Sequence, residues 1–187
     1  MKKYVGLLLA GLLAACAGRS PESSFYTLAG VGDVTPVSQM TGTVDVARVR
    51  IPEYIDRPQI VTMSGVNVHL AQDNRWAEGL GPMIQRKLIH NIGAYLPRAT
   101  VKDANFAAPA GDYSVFVEIY ELNGRLGDTA QLVAAYSVAG DADAASAPHT
   151  VRYSEPAGAD YTEYVGAVSR MVDRLSRDIA KDIAALK

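Results

Sequence analysis

Three observations predict an α+β fold, a mostly antiparallel sheet with two amphipathic helices packed on one face. Apolar residues recur every three or four positions in two long stretches, around 76–96 and 161–186, as helices with one buried face require. Short β-branched and aromatic runs, separated by Gly, Pro, Asn and Asp, fill most of the remainder and give about six strands. The 187 residues contain no internal repeat and are 49% hydrophobic, enough for a single core.

The chain opens with Met1-Lys2-Lys3, a positive start, and residues 4–13 form an uncharged, leucine-rich stretch too short to cross a bilayer. Leu13-Ala14-Ala15-Cys16 follows. Its small side chains fit the pocket of a signal peptidase, and its thiol is the group that accepts a thioether-linked diacylglycerol. The four residues resemble the lipobox of bacterial lipoproteins. Residues 1–15 read as a signal peptide and residues 16–24 as a lipidated N-terminus and flexible tether, too small and polar to build a core. Cys16 is the only cysteine, so no internal disulfide is available and lipidation gives the lone thiol a use. Two or three acyl chains hold a protein durably, where one holds it only reversibly. Ala17 stands where aspartate retains many Gram-negative lipoproteins in the inner membrane, so sorting to the outer membrane is expected.

Residues 25–187 read as one domain. Phe25-Tyr26-Thr27-Leu28 predicts a strand, and Val44, Val46, Val49 and Ile51 a second one stopped by Pro52. Pro52 and Pro58 make the intervening segment a rigid loop. Residues 59–63 and 66–70 predict a hairpin about a Ser64-Gly65 turn. Asp73 or Asn74 is expected to cap a helix that turns Trp76, Leu80, Ile84, Leu88 and Ile92 inward and Gln85, Arg86 and His90 outward, with Pro97 ending it. Residues 113–122 alternate Tyr113, Val115, Val117 and Ile119 with Phe116, Tyr120 and Leu122, predicting a mid-sheet strand covered on both faces. Turn signals at Asn123-Gly124 and Gly127-Asp128 lead into a strand over 131–138. A turn region over 141–148 and an edge strand over 150–154 follow. Asp160 opens the longest helix, whose apolar stripe from Tyr161 to Leu186 opposes a charged side bearing Arg170, Asp173, Arg174, Arg177, Asp178 and Lys181. Such a stripe can form a coiled-coil seam, but packing on the protein's own sheet is the expectation.

The chain carries a net charge of −2, which becomes −4 without the signal residues Lys2 and Lys3. A mildly acidic domain lacks the basic face that displaces counterions from nucleic-acid phosphates. His69, His90 and His149 match no metal-ligand spacing, and Gly79-x-Gly81 lacks the third glycine of a dinucleotide fingerprint, so neither metal nor cofactor is expected. No Gly-x-Ser-x-Gly elbow occurs. Glu118 and Glu121 are expected on opposite strand faces, poor geometry for acting on one bond. The chain reads as a non-enzyme.

Two clusters remain as candidate partner-binding residues. Tyr54, Asp56 and Arg57 lie in the rigid loop, where a planar guanidinium can bind a carboxylate, a phosphate or a partner's backbone, or else pair with Asp56 or Glu53 in a structural turn. Arg75, Trp76 and Glu78 lie at the expected helix start, with Arg75 and Glu78 one turn apart, and there Trp76 serves either a partner or the core.

Phe25-Tyr26-Thr27-Leu28 soon after the lipobox, then Ile51-Pro52-Glu53-Tyr54-Ile55-Asp56-Arg57-Pro58-Gln59-Ile60-Val61, then Arg75-Trp76-Ala77-Glu78-Gly79-Leu80, resemble the PqiC family of ABC-type transport auxiliary lipoproteins in order and spacing. Leu175-Ser176-Arg177-Asp178-Ile179 agrees with that family's terminal helix, whereas Gly79 stands where the family has proline. The resemblance implies an auxiliary subunit at the outer membrane, docking an MCE-domain periplasmic protein of a system that moves lipids or other hydrophobic compounds. It also implies a possible homo-oligomeric ring matched to a ring-shaped partner. The alternative is a periplasmic lipoprotein that itself carries a lipid between helix and sheet.

Overall fold

Eight strands and two helices form the domain: β1 (Ser24–Tyr26), β2 (Gly42–Val46), β3 (Gln59–Ser64), β4 (Asn67–Trp76), α1 (Leu80–Tyr95), β5 (Ala99–Asp103), β6 (Tyr113–Gly124), β7 (Thr129–Gly140), β8 (His149–Pro156) and α2 (Tyr161–Ala185). The structure is a computed structural model that describes residues 22–30, 32, 34–106, 110–140 and 147–186. The expected signal peptide, Cys16, most of the tether and most of the 141–148 turn lie outside the described residues.

The α+β class is as expected, but the strands make two mixed sheets. A five-stranded sheet runs β5-β2-β6-β7-β8, and a three-stranded sheet runs β1-β4-β3. Pairing of β6 with β7 and of β7 with β8 is antiparallel, while β2 lies parallel to both β5 and β6. The parallel arrangement follows from α1, which carries the chain from the end of β4 back across the sheet before β5 begins. Strand β5 was not expected at all: Ala99-Thr100-Val101-Lys102-Asp103 has one strongly β-forming apolar residue and is held by backbone register with β2.

Both helices pack on one face of the large sheet, α1 over β5 and β2, α2 over β7 and β8. Val44, Val46, Val115, Leu132 and Val138 from the strands meet Ile84, Leu88 and Ile92 of α1 and Val168, Val172 and Leu175 of α2, all buried. Burial on this scale contributes about 1.5–3 kcal/mol per large apolar side chain. Asp160 caps α2 as expected, its carboxylate accepting from the Glu163 amide at 2.9 Å.

Five expectations need correction. Strand β4 runs on through Trp76, so neither Asp73 nor Asn74 caps a helix; α1 begins at Leu80, behind Gly79. Gln85 points inward, donating from Nε2 to the Val46 carbonyl at 3.0 Å. The hairpin turns at Gly65-Val66, one residue later than expected, because Gly65 takes φ +60° and Ser64 pairs with Asn67. Finally, β6 is covered on one face only: Phe116 and Tyr120 are exposed, while a bulge between Ile119 and Glu121 turns Leu122 inward. The same bulge puts Glu118 and Glu121 on one exposed face, opposite Ala135 and Val133.

A buried polar network joins the helices. Lys87 of α1, 5% exposed, places Nζ 2.7 Å from Oδ1 of Asp173 in α2 and also donates to the Ala29 carbonyl. Asn91 donates to the same Asp173 oxygen at 2.7 Å and to Ser176 Oγ at 3.3 Å. The segment after β1 is held there as well, by Ala29 N–H to Ser169 Oγ (3.1 Å) and Leu28 N–H to Met83 Sδ (3.3 Å). Asp173→Ala strands the ammonium in the interior and is expected to cost about 3–5 kcal/mol, whereas Lys87→Met, which fills the same space with apolar atoms, costs less. Urea midpoints for the two variants check this order.

A second buried charge sits on β2. Burial pushes the Asp45 carboxyl upward, but the Gly111 amide at 2.7 Å and Lys102 at 2.9 Å outweigh it and hold the group below the ordinary range. Asp178 is also lowered, burial being outweighed by the Tyr153 hydroxyl at 2.7 Å and by Lys181. A depressed carboxyl stabilises the fold fully above its unfolded value, about 3.9 for Asp, and loses that contribution as the pH falls through the folded value. Stability is therefore expected to hold from neutral pH down to about 4–5 and to drop below it, with a shallower acid limb in Asp45→Asn. An acid limb identical in wild type and variant would refute the assignment.

Candidate partner-binding site

The three-stranded sheet brings together three segments far apart in sequence. Strand β1 lies parallel to β4, with Phe25 opposite Arg75 and Tyr26 opposite Trp76, and Gln59 of β3 lies opposite Arg75 on the other side. The Trp76 amide donates to the Pro58 carbonyl at 2.7 Å, and the Ala77 amide to Tyr26 at 2.8 Å. The end of β4 is thus clamped between β1 and the loop over 52–58. That loop closes on itself: Ile55 and Asp56 amides donate to the Pro52 carbonyl at 3.1 and 3.2 Å, and the Arg57 amide to Ile55 at 2.9 Å. Ile55, 1% exposed, plugs the loop into the core.

The candidate residues separate into two groups. Trp76 is 4% exposed and belongs to the core. Tyr54 is half-buried, and its hydroxyl is raised above the ordinary phenol range, chiefly by burial; a hydrogen bond from the Leu122 backbone opposes the shift and the Glu121 carboxylate adds to it. Asp56 and Glu78 are exposed. Glu78 pairs with Arg86 of α1, so the expected helical pair with Arg75 does not form, because Arg75 sits in a strand.

Arg57 and Arg75 are half-buried, and each has an Nε that is buried without an acceptor. Among the described residues no ion pair joins Arg57 to Asp56 or Glu53. The half-buried Arg57 and Arg75 on neighbouring segments set two positive charges at one end of the small sheet, suited to a carboxylate presented from outside. Phe25, 65% exposed and opposite Arg75, adds an apolar contact beside them. Its role was hidden in the sequence because only the parallel register with β4 brings it to Arg75.

Trp76→Ala is expected to lower stability by about 3–5 kcal/mol, as the loss of a large buried aromatic does. Arg57→Ala is expected to change the unfolding free energy by no more than about 0.5 kcal/mol. Thermal unfolding of both variants checks the division into core and surface.

Among the described residues no group of three or more His, Cys, Asp or Glu is placed to hold a metal ion, and no helix is long and apolar enough to cross a membrane. Two solved structures share the fold. One, a crystal structure of an uncharacterized protein, superposes with a TM-score of 0.72 at 19% identity, covering 87% of this chain and 99% of the other. The second, protein XCC0632 of the DUF330 family from Xanthomonas campestris, superposes with a TM-score of 0.71 at 14% identity, covering 86% and 94%. No curated protein matches the sequence significantly. Residues 26–180 match the family described as the ABC-type transport auxiliary lipoprotein component, an auxiliary part of a transport system and not an enzyme class. The chain belongs to the ABC-type transport auxiliary lipoprotein family.

Proposed function

We propose that the protein is a non-catalytic docking subunit, anchored to the outer membrane through lipidated Cys16, of an MCE-type ABC transport system for lipids or other hydrophobic compounds. The observation that carries this reading is the end of the small sheet. Two half-buried arginines on neighbouring segments, flanked by exposed Phe25, offer a partner both charge and an apolar contact. The periplasmic MCE-domain protein is the partner assigned to that end. By supporting transport between the membranes, the subunit supports envelope integrity.

The carrier alternative finds less support. A lipid held between helix and sheet needs unfilled space there, whereas Val44, Val46, Ile84, Leu88, Val168 and Leu175 fill that interface with no exposure. The three depressions described lie at the surface. The largest, about 640 Å³, sits on the exposed side of β6 and β7 between Phe116, Tyr120, Arg48 and Arg50.

Detergent-solubilised wild type is expected to be retained by immobilised MCE protein, and an Arg57→Glu variant to be lost from it. Failure of the wild type to bind sinks the docking reading. A Cys16→Ala variant is expected to fold normally yet fail to restore envelope integrity in cells lacking the gene. Full activity from that soluble form would remove the anchor from the mechanism.

A further inference from the structure

We infer that the tip of the β3–β4 hairpin, Val66 with Val68 and Leu70, inserts into the lipid surface that holds the N-terminal anchor. This rests on the lipidation of Cys16 proposed above.

The tip is unusual in its chemistry. Two-residue hairpin turns favour Gly, Asn and Asp because these tolerate positive φ and face water. Here Gly65 meets the backbone requirement, yet the second turn residue is Val66, 92% exposed. Behind it Val68 and Leu70 are 45% and 44% exposed and lie two residues apart, on one side of the regular part of the strand. Three branched apolar side chains therefore lie on or just behind one projecting turn, and none of the described residues covers them. The β6–β7 turn lies at the same end, sharing with Ser64 and Gly65 a depression of about 390 Å³ that exposed Arg125 and Asp128 also line.

The connection to the anchor supplies the occupant. Because β1 runs parallel to β4 with Ser24 opposite Asn74, the chain preceding Ser24 leaves the sheet toward the start of β4, where the turn is. Cys16 precedes Ser24 by eight residues, which span at most ~29 Å. The seven residues from Asn74 back to Asn67 span at most ~24 Å of strand. The anchor's reach thus ends about level with the turn. A tether drawn in any shorter path pulls the turn further into the bilayer. A lipid surface is the partner that both the apolar tip and this reach select.

Cys16 is the only cysteine and its thiol is consumed by lipidation, so a cysteine placed elsewhere is uniquely labelled. The mature lipoprotein carrying Val66→Cys, labelled with an environment-sensitive dye, is reconstituted into phosphatidylethanolamine–phosphatidylglycerol vesicles. Ala185→Cys, exposed at the C-terminal end of α2, serves as the control. The expected result is blue-shifted emission at 66, quenched by brominated acyl chains, with no change at 185. Aqueous emission at 66 in protein whose intact mass shows the diacylglycerol overturns the insertion alone and leaves the tip as a protein contact. An intact mass without lipid overturns the anchor, and the insertion with it. As a second reading, Leu70→Asp is expected to lose the protection of the hairpin from protease that vesicles give the wild type; equal protection in both contradicts the proposal.

Discussion

A lysine with almost no access to water, held by one aspartate on the neighbouring helix, is the constraint around which this domain is arranged. The buried Lys87 ammonium has its ion-pair partner in Asp173, and Asp173 lies on α2, at the other end of the chain. Satisfying the pair fixes how α1 and α2 lie against each other, and the third partner of the ammonium, the Ala29 carbonyl, fixes where the incoming chain crosses them. Apolar packing drives both helices onto the sheet but is tolerant of sliding. The polar network is not, since an ammonium or carboxylate displaced by a single turn is left without a partner.

From that crossing the small sheet follows. With Leu28 and Ala29 tied to Met83, Ser169 and Lys87, the residues just before them are delivered alongside β4, and the parallel pairing of β1 results. The same pairing orders the two ends of β4. One end carries Arg75 beside the Arg57 loop, and the other carries the exposed valine turn. The domain therefore has a polarity along a single strand, set by where the chain enters it.

How much of this was legible depends on whether a residue's environment is local. Strand β6 and helix α2 were readable because each carries a long periodic pattern, although in β6 only the set with Val115, Val117 and Ile119 is buried. Trp76 was misplaced because its four-residue spacing to Leu80 mimics a helix face, although the two belong to different elements separated by Ala77-Glu78-Gly79. The bulge at Tyr120 and strand β5 left no mark because both depend on a neighbouring strand's register. Nothing local marks Lys87 as buried, since its partner Asp173 is on the far helix. Of the candidate site, the segments themselves were legible. Their convergence on one sheet was not, nor was the division that leaves Trp76 inside and Arg57 and Arg75 half-buried, each with an Nε lacking an acceptor.

The entry of the chain through β1 also sets how the molecule bears a mechanical load. If the N-terminus is held at a membrane and a partner engages the far end of β4, as proposed, a pull acts along the axis of β1 and loads its hydrogen bonds with β4 together, in shear. It does not peel them apart one after another. Three paired residues would give way easily if they stood alone. Directly behind them, the hold of Lys87, Ser169 and Met83 on residues 28–29 takes up the remaining tension and passes it into both helices. A strand of three residues can thus serve as the joint between a leash and a rigid body, and the buried lysine is its rivet.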